Sequence, residues 1–90
     1  MDTRGFELRE IAVEPGGARP YVEAEWIDAL VVVARGEIEL EGLCGSRQQF
    51  ARGDVLWLVG LPLRALHNHG AEPAVLHAIS RRRAVDTIGT

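Results

Sequence analysis

Apolar and polar residues alternate along Phe6-Glu7-Leu8-Arg9-Glu10-Ile11-Ala12-Val13, the period-two pattern of a half-buried strand. Glu14-Pro15-Gly16-Gly17 breaks it, as a turn does. Tyr21 to Ile27 reads as a second strand, with Glu23 and Glu25 on one face. Ala29 to Ala34 is β-branched and apolar throughout, which predicts a strand covered on both sides. After Gly36, Glu37-Ile38-Glu39-Leu40-Glu41 alternates again, with its acids toward water. Gly42 to Ser46 has the composition of a hairpin turn. Short strands are expected at Gln48–Ala51, Val55–Val59, Arg64–Asn68 and Ala74–Ser80, separated by Arg52-Gly53-Asp54, by Gly60-Leu61-Pro62 and by the loop from His69 to Pro73.

No stretch of 10–12 residues has a helical apolar stripe. Short strands with closely spaced turns predict an all-β sandwich or barrel. Ninety residues are one domain, with a core over about residues 6–80 and residues 81–90 as a terminal tail or edge strand. A chain this short buries only roughly 60–65% of its unfolded surface, so the core is thin.

Composition narrows the function classes. The apolar fraction is 47% and the charged fraction 26%, which argues for a folded chain. The longest apolar run is six residues, far short of the ~20 that a membrane helix needs. The start, Met1-Asp2-Thr3-Arg4-Gly5, lacks the pattern of a secretory leader. With the single Cys44 no internal disulfide forms, so a cytoplasmic location is expected. A net charge of −3 gives no general attraction to nucleic acid. All ten basic residues are arginine, which removes lysine-based covalent chemistry. Acids crowd the first half: residues 1–45 hold ten acids and four arginines, residues 46–90 three acids and six arginines. In one small domain these halves pack together, which points to complementary surfaces or a shared polar site.

The stretch from Gly53-Asp54 through Pro62, Arg64 and Asn68 resembles the second motif of the cupins. Leu30 to Leu40, closing on Gly36-Glu37-Ile38-Glu39, looks like the end of their first motif, and sixteen residues separate Gly36 from Gly53. The resemblance covers roughly residues 20–80 and implies a cupin-type double-stranded β-helix, a jelly-roll barrel. It also implies pairing as a homodimer, by sheet-to-sheet contact or strand exchange. The departures are informative. Cupins hold a divalent metal through two histidines, a glutamate and a third histidine; counted onto this chain, those positions are Glu23, Glu25, Ala29 and Arg64, and only the motif's Asn68 is kept. Arginine is a fixed cation and no ligand. The expectation is therefore a domain with no metal and no cofactor.

If that geometry holds, Glu23, Glu25 and Arg64 converge in the barrel mouth, Arg64 standing in for the metal charge. Trp26, Leu66 and Trp57 would wall a ligand site with Asn68. The leading expectation is a metal-independent domain that binds or senses a small polar or anionic molecule, with no nucleic-acid or membrane partner. The alternative is a metal-free isomerase or cyclase using Glu23 or Glu25 as general base. A third reading is an interaction module whose pocket is filled by side chains. His67, His69 and His77 read as surface or interface histidines in preference to a displaced metal site. Cys44 has no basic neighbour in sequence to activate it, and Arg81-Arg82-Arg83 reads as a solvated edge.

Overall fold

Eight strands build two antiparallel four-stranded sheets in the computed structural model, which describes residues 5–81. They are β1 (Phe6–Val13), β2 (Ala18–Pro20), β3 (Ala29–Arg35), β4 (Glu37–Gly42), β5 (Arg47–Ala51), β6 (Val55–Leu56), β7 (Leu63–His67) and β8 (Ala74–Arg81). The first sheet runs β1-β8-β3-β6 and the second β2-β7-β4-β5. The order interleaves early and late strands, as the two halves of a rolled-up jelly roll do. The all-β jelly-roll expectation stands.

Alternation decides which side chains go inside. In β8, Ala74, Leu76 and Ala78 are buried while Val75, His77 and Ile79 are partly exposed. In β4, Ile38 and Leu40 point inward and Glu37, Glu39 and Glu41 outward. Val31, Val33, Leu56 and Leu76 of the first sheet meet Ile38, Leu40 and Leu66 of the second in one core, with Trp26 fully buried among them.

Two turn glycines explain the spacing seen in the sequence. Gly36 joins β3 to β4 at φ 72°, and a Cβ there would lie 2.8 Å from the Pro73 carbonyl oxygen. Gly53 adopts φ 96° in the turn before β6. Both conformations are costly for any residue with a side chain.

Three expected strands are corrected. Tyr21–Ile27 is not a strand: β2 ends at Pro20, and Glu23–Glu25 forms a 3-10 turn with Glu25 N donating to Val22 O and Trp26 N to Glu23 O, both at 2.9 Å. Its apparent alternation reflects the single buried anchor Trp26, while Val22 and Ile27 stay exposed. The strand expected over Val55–Val59 stops at Leu56, because the chain turns where Leu61 N donates to Leu58 O. Finally, β3 is covered on one side only. Ala29, Val31 and Val33 are buried, but Leu30 is 42% exposed. Among the described residues there is no second layer on that side.

Candidate functional site

The three residues expected to converge are each held by different partners. Glu25 forms an ion pair with Arg19 at 2.9 Å, and its backbone carbonyl accepts from Arg9. Glu23 Oε2 accepts from Gly60 N at 3.2 Å. Arg64 lies with its guanidinium Nε 3.6 Å from Glu41 and donates to the Leu43 carbonyl, its side chain 58% exposed. The convergent Glu23–Glu25–Arg64 cluster is therefore absent. The cause is local: the 3-10 turn replaces the strand that would have aimed both carboxylates inward.

These positions also do not fit the divalent metal that the cupin pattern implies. Ala29 offers no donor, Arg64 is a cation, and the two glutamates face apart toward Arg19 and Gly60. Among the described residues no group of three or more His, Cys, Asp or Glu side chains is placed to hold a metal ion.

The remaining expected site residues divide between core and rim. Leu66 and Trp26 are fully buried, and Trp26 Nε1 meets no hydrogen-bond partner among the described residues. Asn68 is buried as a structural clamp. Its amide donates to Val13 O at 3.0 Å and Glu72 O at 2.7 Å, and its carbonyl accepts from Gly70 N at 2.8 Å. Its polar groups are thereby used up by the backbone at the end of β1 and in the β7–β8 loop. Trp57 lines an open slot.

That slot is a concave site with a mostly apolar wall. It lies between the two sheets where β5 and β6, the edge strands, face each other. Its volume is about 300 Å³, at the lower end of the ~300–1,000 Å³ of small-molecule sites. Leu40, Phe50, Leu56, Trp57, Leu61 and Leu63 make its apolar lining, with Ser46 and Gln48 as its polar side chains. Gln48 is paired in register with Leu40, so it sits on the inward phase of β5. Gln48 is nevertheless exposed, so its amide is open to solvent, while the outward Gln49 donates to Glu37 at 2.8 Å. Sequence reading passed over Gln48, Leu40 and Phe50. A signal was present, since Gln48 and Phe50 share one phase of a short strand and a glutamine on a core phase is unusual.

The outer face of the second sheet carries a separate polar network. Arg47 and His69 both reach Glu39, at 2.7 and 2.8 Å. His67 is 2.8 Å from Glu41, and the rings of His67 and His69 stack with centroids 5.6 Å apart. The bond to His69, followed by that to Arg47, holds the Glu39 carboxyl below its usual range. The bond to His67 does the same for Glu41. Burial, then the Glu23 charge, raises the Tyr21 phenol, which donates to Leu58 O at 3.1 Å. Cys44 is free and exposed, and hydrogen bonds from Ser46 lower its thiol, so a neighbour unseen in the sequence pattern does tune it.

No family model matches the sequence, and no curated protein sequence is significantly similar to it. Solved structures are similar in fold. A cupin 2 conserved barrel domain protein from Salinispora arenicola aligns with TM-score 0.61 and 22% identity over 92% of this chain and 68% of its own. The cupin 2 domain of an XRE family transcriptional regulator from Enterobacter cloacae aligns with TM-score 0.59 and 22% identity, over 90% and 86% of the two chains. A sugar phosphate isomerase of the cupin superfamily from Silicibacter pomeroyi aligns with TM-score 0.61 and 24% identity, over 88% and 52%.

Proposed function

We propose that this cupin-fold domain is a metal-independent binding or sensing module whose ligand occupies the slot between β5 and β6. Its fold occurs in a transcriptional regulator and in a sugar phosphate isomerase, so the fold by itself leaves sensing and catalysis open. The lining favours binding. The observation that carries the reading is the solvent-open Gln48 amide on the inward phase of β5, beside the mostly apolar side chains that line an open slot. Such a site selects a compact, largely apolar neutral molecule with one group that both donates and accepts a hydrogen bond. This differs from the polar or anionic ligand expected from the sequence, because Arg64, the intended anion partner, is engaged with Glu41 and Leu43 away from the slot. The isomerase or cyclase reading gains nothing from the geometry: Glu23 and Glu25 are tied to Gly60 and Arg19, and neither lines the slot.

No helix among the described residues is long and apolar enough to cross a membrane. A reducing cytoplasm suits the exposed free thiol of Cys44.

A direct test compares benzamide with benzoate, two ligands of the same shape differing in charge. Benzamide is expected to raise the melting temperature and to shift the emission of Trp57, and Gln48→Leu to weaken its binding about tenfold, ~1.4 kcal/mol. Addition of Mn, Ni or Zn ions is expected to change neither readout. Preference for benzoate, loss of binding in Arg64→Gln, or a metal requirement would each overturn the assignment.

A further inference from the structure

One wall of the slot is a loop and not a strand. After β6 ends at Leu56, residues 57–62 cross to β7, and Trp57, Leu58, Leu61 and Pro62 of this loop line the slot. Leu58 is fully buried and roots the loop in the core, whereas Trp57 is 52% and Leu61 45% exposed. Leu40 and Phe50 of the other sheet line the same space. Apolar side chains left half in water beside an apolar hollow gain by closing over it, because covering them removes surface from water. The slot nevertheless stands open.

Two side chains from the segment between β2 and β3 hold the loop back. The Tyr21 phenol donates to Leu58 O at 3.1 Å, and Glu23 Oε2 accepts from Gly60 N at 3.2 Å. Neither Tyr21 nor Glu23 lines the slot, so both ties act from outside it. The segment they come from is itself anchored. Tyr21 N donates to Arg64 O at 2.9 Å, Trp26 is buried in the core, and Glu25 pairs with Arg19. At its other end the loop is fixed to the β4–β5 hairpin, where Leu43 N donates to Pro62 O at 2.8 Å.

We propose that Tyr21 and Glu23 are positioning residues that keep the slot open, and so set its affinity for a ligand they do not touch. The proposal rests on the reading of the slot as a binding site. With both ties made, a ligand meets a preformed cavity, and little of its binding free energy goes into rearranging the site. With a tie cut, Trp57 and Leu61 settle toward Leu40 and Phe50. Apparent affinity then falls in proportion to the fraction of molecules whose slot remains open. Glu23 thereby has a role that acts through Gly60, distinct from contact with a ligand or general-base work.

The test uses the full 90-residue chain and reads Trp57, since the fully buried Trp26 is out of reach of acrylamide. Without ligand, Glu23→Ala and Tyr21→Phe are each expected to shift Trp57 emission to the blue and to lower its quenching, the double variant more than either. Tyr21→Phe keeps the ring that packs against the core, and serves should Glu23→Ala unfold. Glu23→Gln retains a side-chain oxygen to accept from Gly60 N and is expected to behave as wild type, which separates the tie from the charge. Benzamide affinity is expected to fall about fivefold in each cut variant, as the loss of one net hydrogen bond allows, with the change in the association rate. Unchanged or increased quenching in the double variant would overturn the proposal, and so would Glu23→Gln behaving as Glu23→Ala. Shielding of Trp57 in the variants of a protein that binds no benzamide would uphold the ties and overturn the ligand reading instead.

Discussion

The two outer faces are built by the same alternation and end in opposite chemistry. The second sheet presents Glu37, Glu39 and Glu41 beside Arg47, Gln49 and His67, each cross-strand neighbour answering the other. The first presents Leu8, Ile79 and Leu30 in one row. Both stand on a molecule only 17 Å thick along its shortest axis, where each sheet has one inner side to bury. The contrast shows that the inner phase of a strand reports the fold, while the outer phase reports what the fold meets. Charged pairs on the second sheet are consistent with water; an unpaired apolar row is consistent with another protein surface.

The largest effects belong to the layer that both faces share. Asn68→Leu strands the buried Val13 carbonyl and the partly buried Glu72 carbonyl and Gly70 amide, at about 1–3 kcal/mol for a buried group and less for the other two. The expected loss is roughly 3 kcal/mol or more, read from the urea midpoint, and it should dismantle both faces alike. A variant within ~1 kcal/mol of wild type would remove Asn68 as the clamp between β1 and the β7–β8 loop.

Next in size is the response to dilution. If a second copy covers the first sheet, one of the two pairings that the cupin resemblance implies, mass action makes the melting temperature rise with protein concentration. Leu30→Arg should abolish that dependence, and Glu39→Gln on the opposite face should leave it intact. Equal behaviour of the two variants would erase the distinction between the faces.

Acid sharpens the same contrast from the charged side. Glu39 and Glu41 titrate below their usual value of 4.5 when folded, held there first by His69 and His67. As pH falls, the unfolded chain therefore takes up these protons before the folded one does. Their contribution is complete above the unfolded carboxyl value and is lost as pH falls through the lowered folded values. A urea midpoint that drops below pH 4.5 in wild type should drop less in Glu39→Gln/Glu41→Gln. An equal drop in both would show that the network does not govern acid stability. The smallest effect is expected from Arg47→Ala. Its exposed ion pairs are worth at most about 1 kcal/mol, and that difference should shrink in high salt.

Legibility in the sequence followed the range of the interaction. Strand β1 is found over the same residues that its alternation marked, and the phase of β4 and β8 was readable because a strand shows one face every second residue. Gly36 and Gly53 were readable as turns, and their positive φ explains why. The candidate site was much less legible. Trp57 was anticipated and lines the slot, but Gln48 and Phe50 were not, since nothing local says that β5 faces a gap. Glu23 and Glu25 were misplaced because an alternating heptapeptide can be a strand or a turn with one buried anchor. Arg82 and Arg83 of the arginine run lie outside the described residues.

By itself, then, the sequence determined strand phase, turn positions and an all-β class, set by steric and hydrophobic rules acting over a few neighbours, while its resemblance to the cupins implied the jelly roll. The tertiary structure alone decided which side chains share a space. Pro20 ending β2, Arg19 capturing Glu25 and Glu41 capturing Arg64 each depend on residues brought together by folding. Those choices emptied the expected polar centre and left the apolar slot between β5 and β6. The physical reason is that a charge pairs with the nearest opposite charge in space, and distance in space is what a chain fixes last.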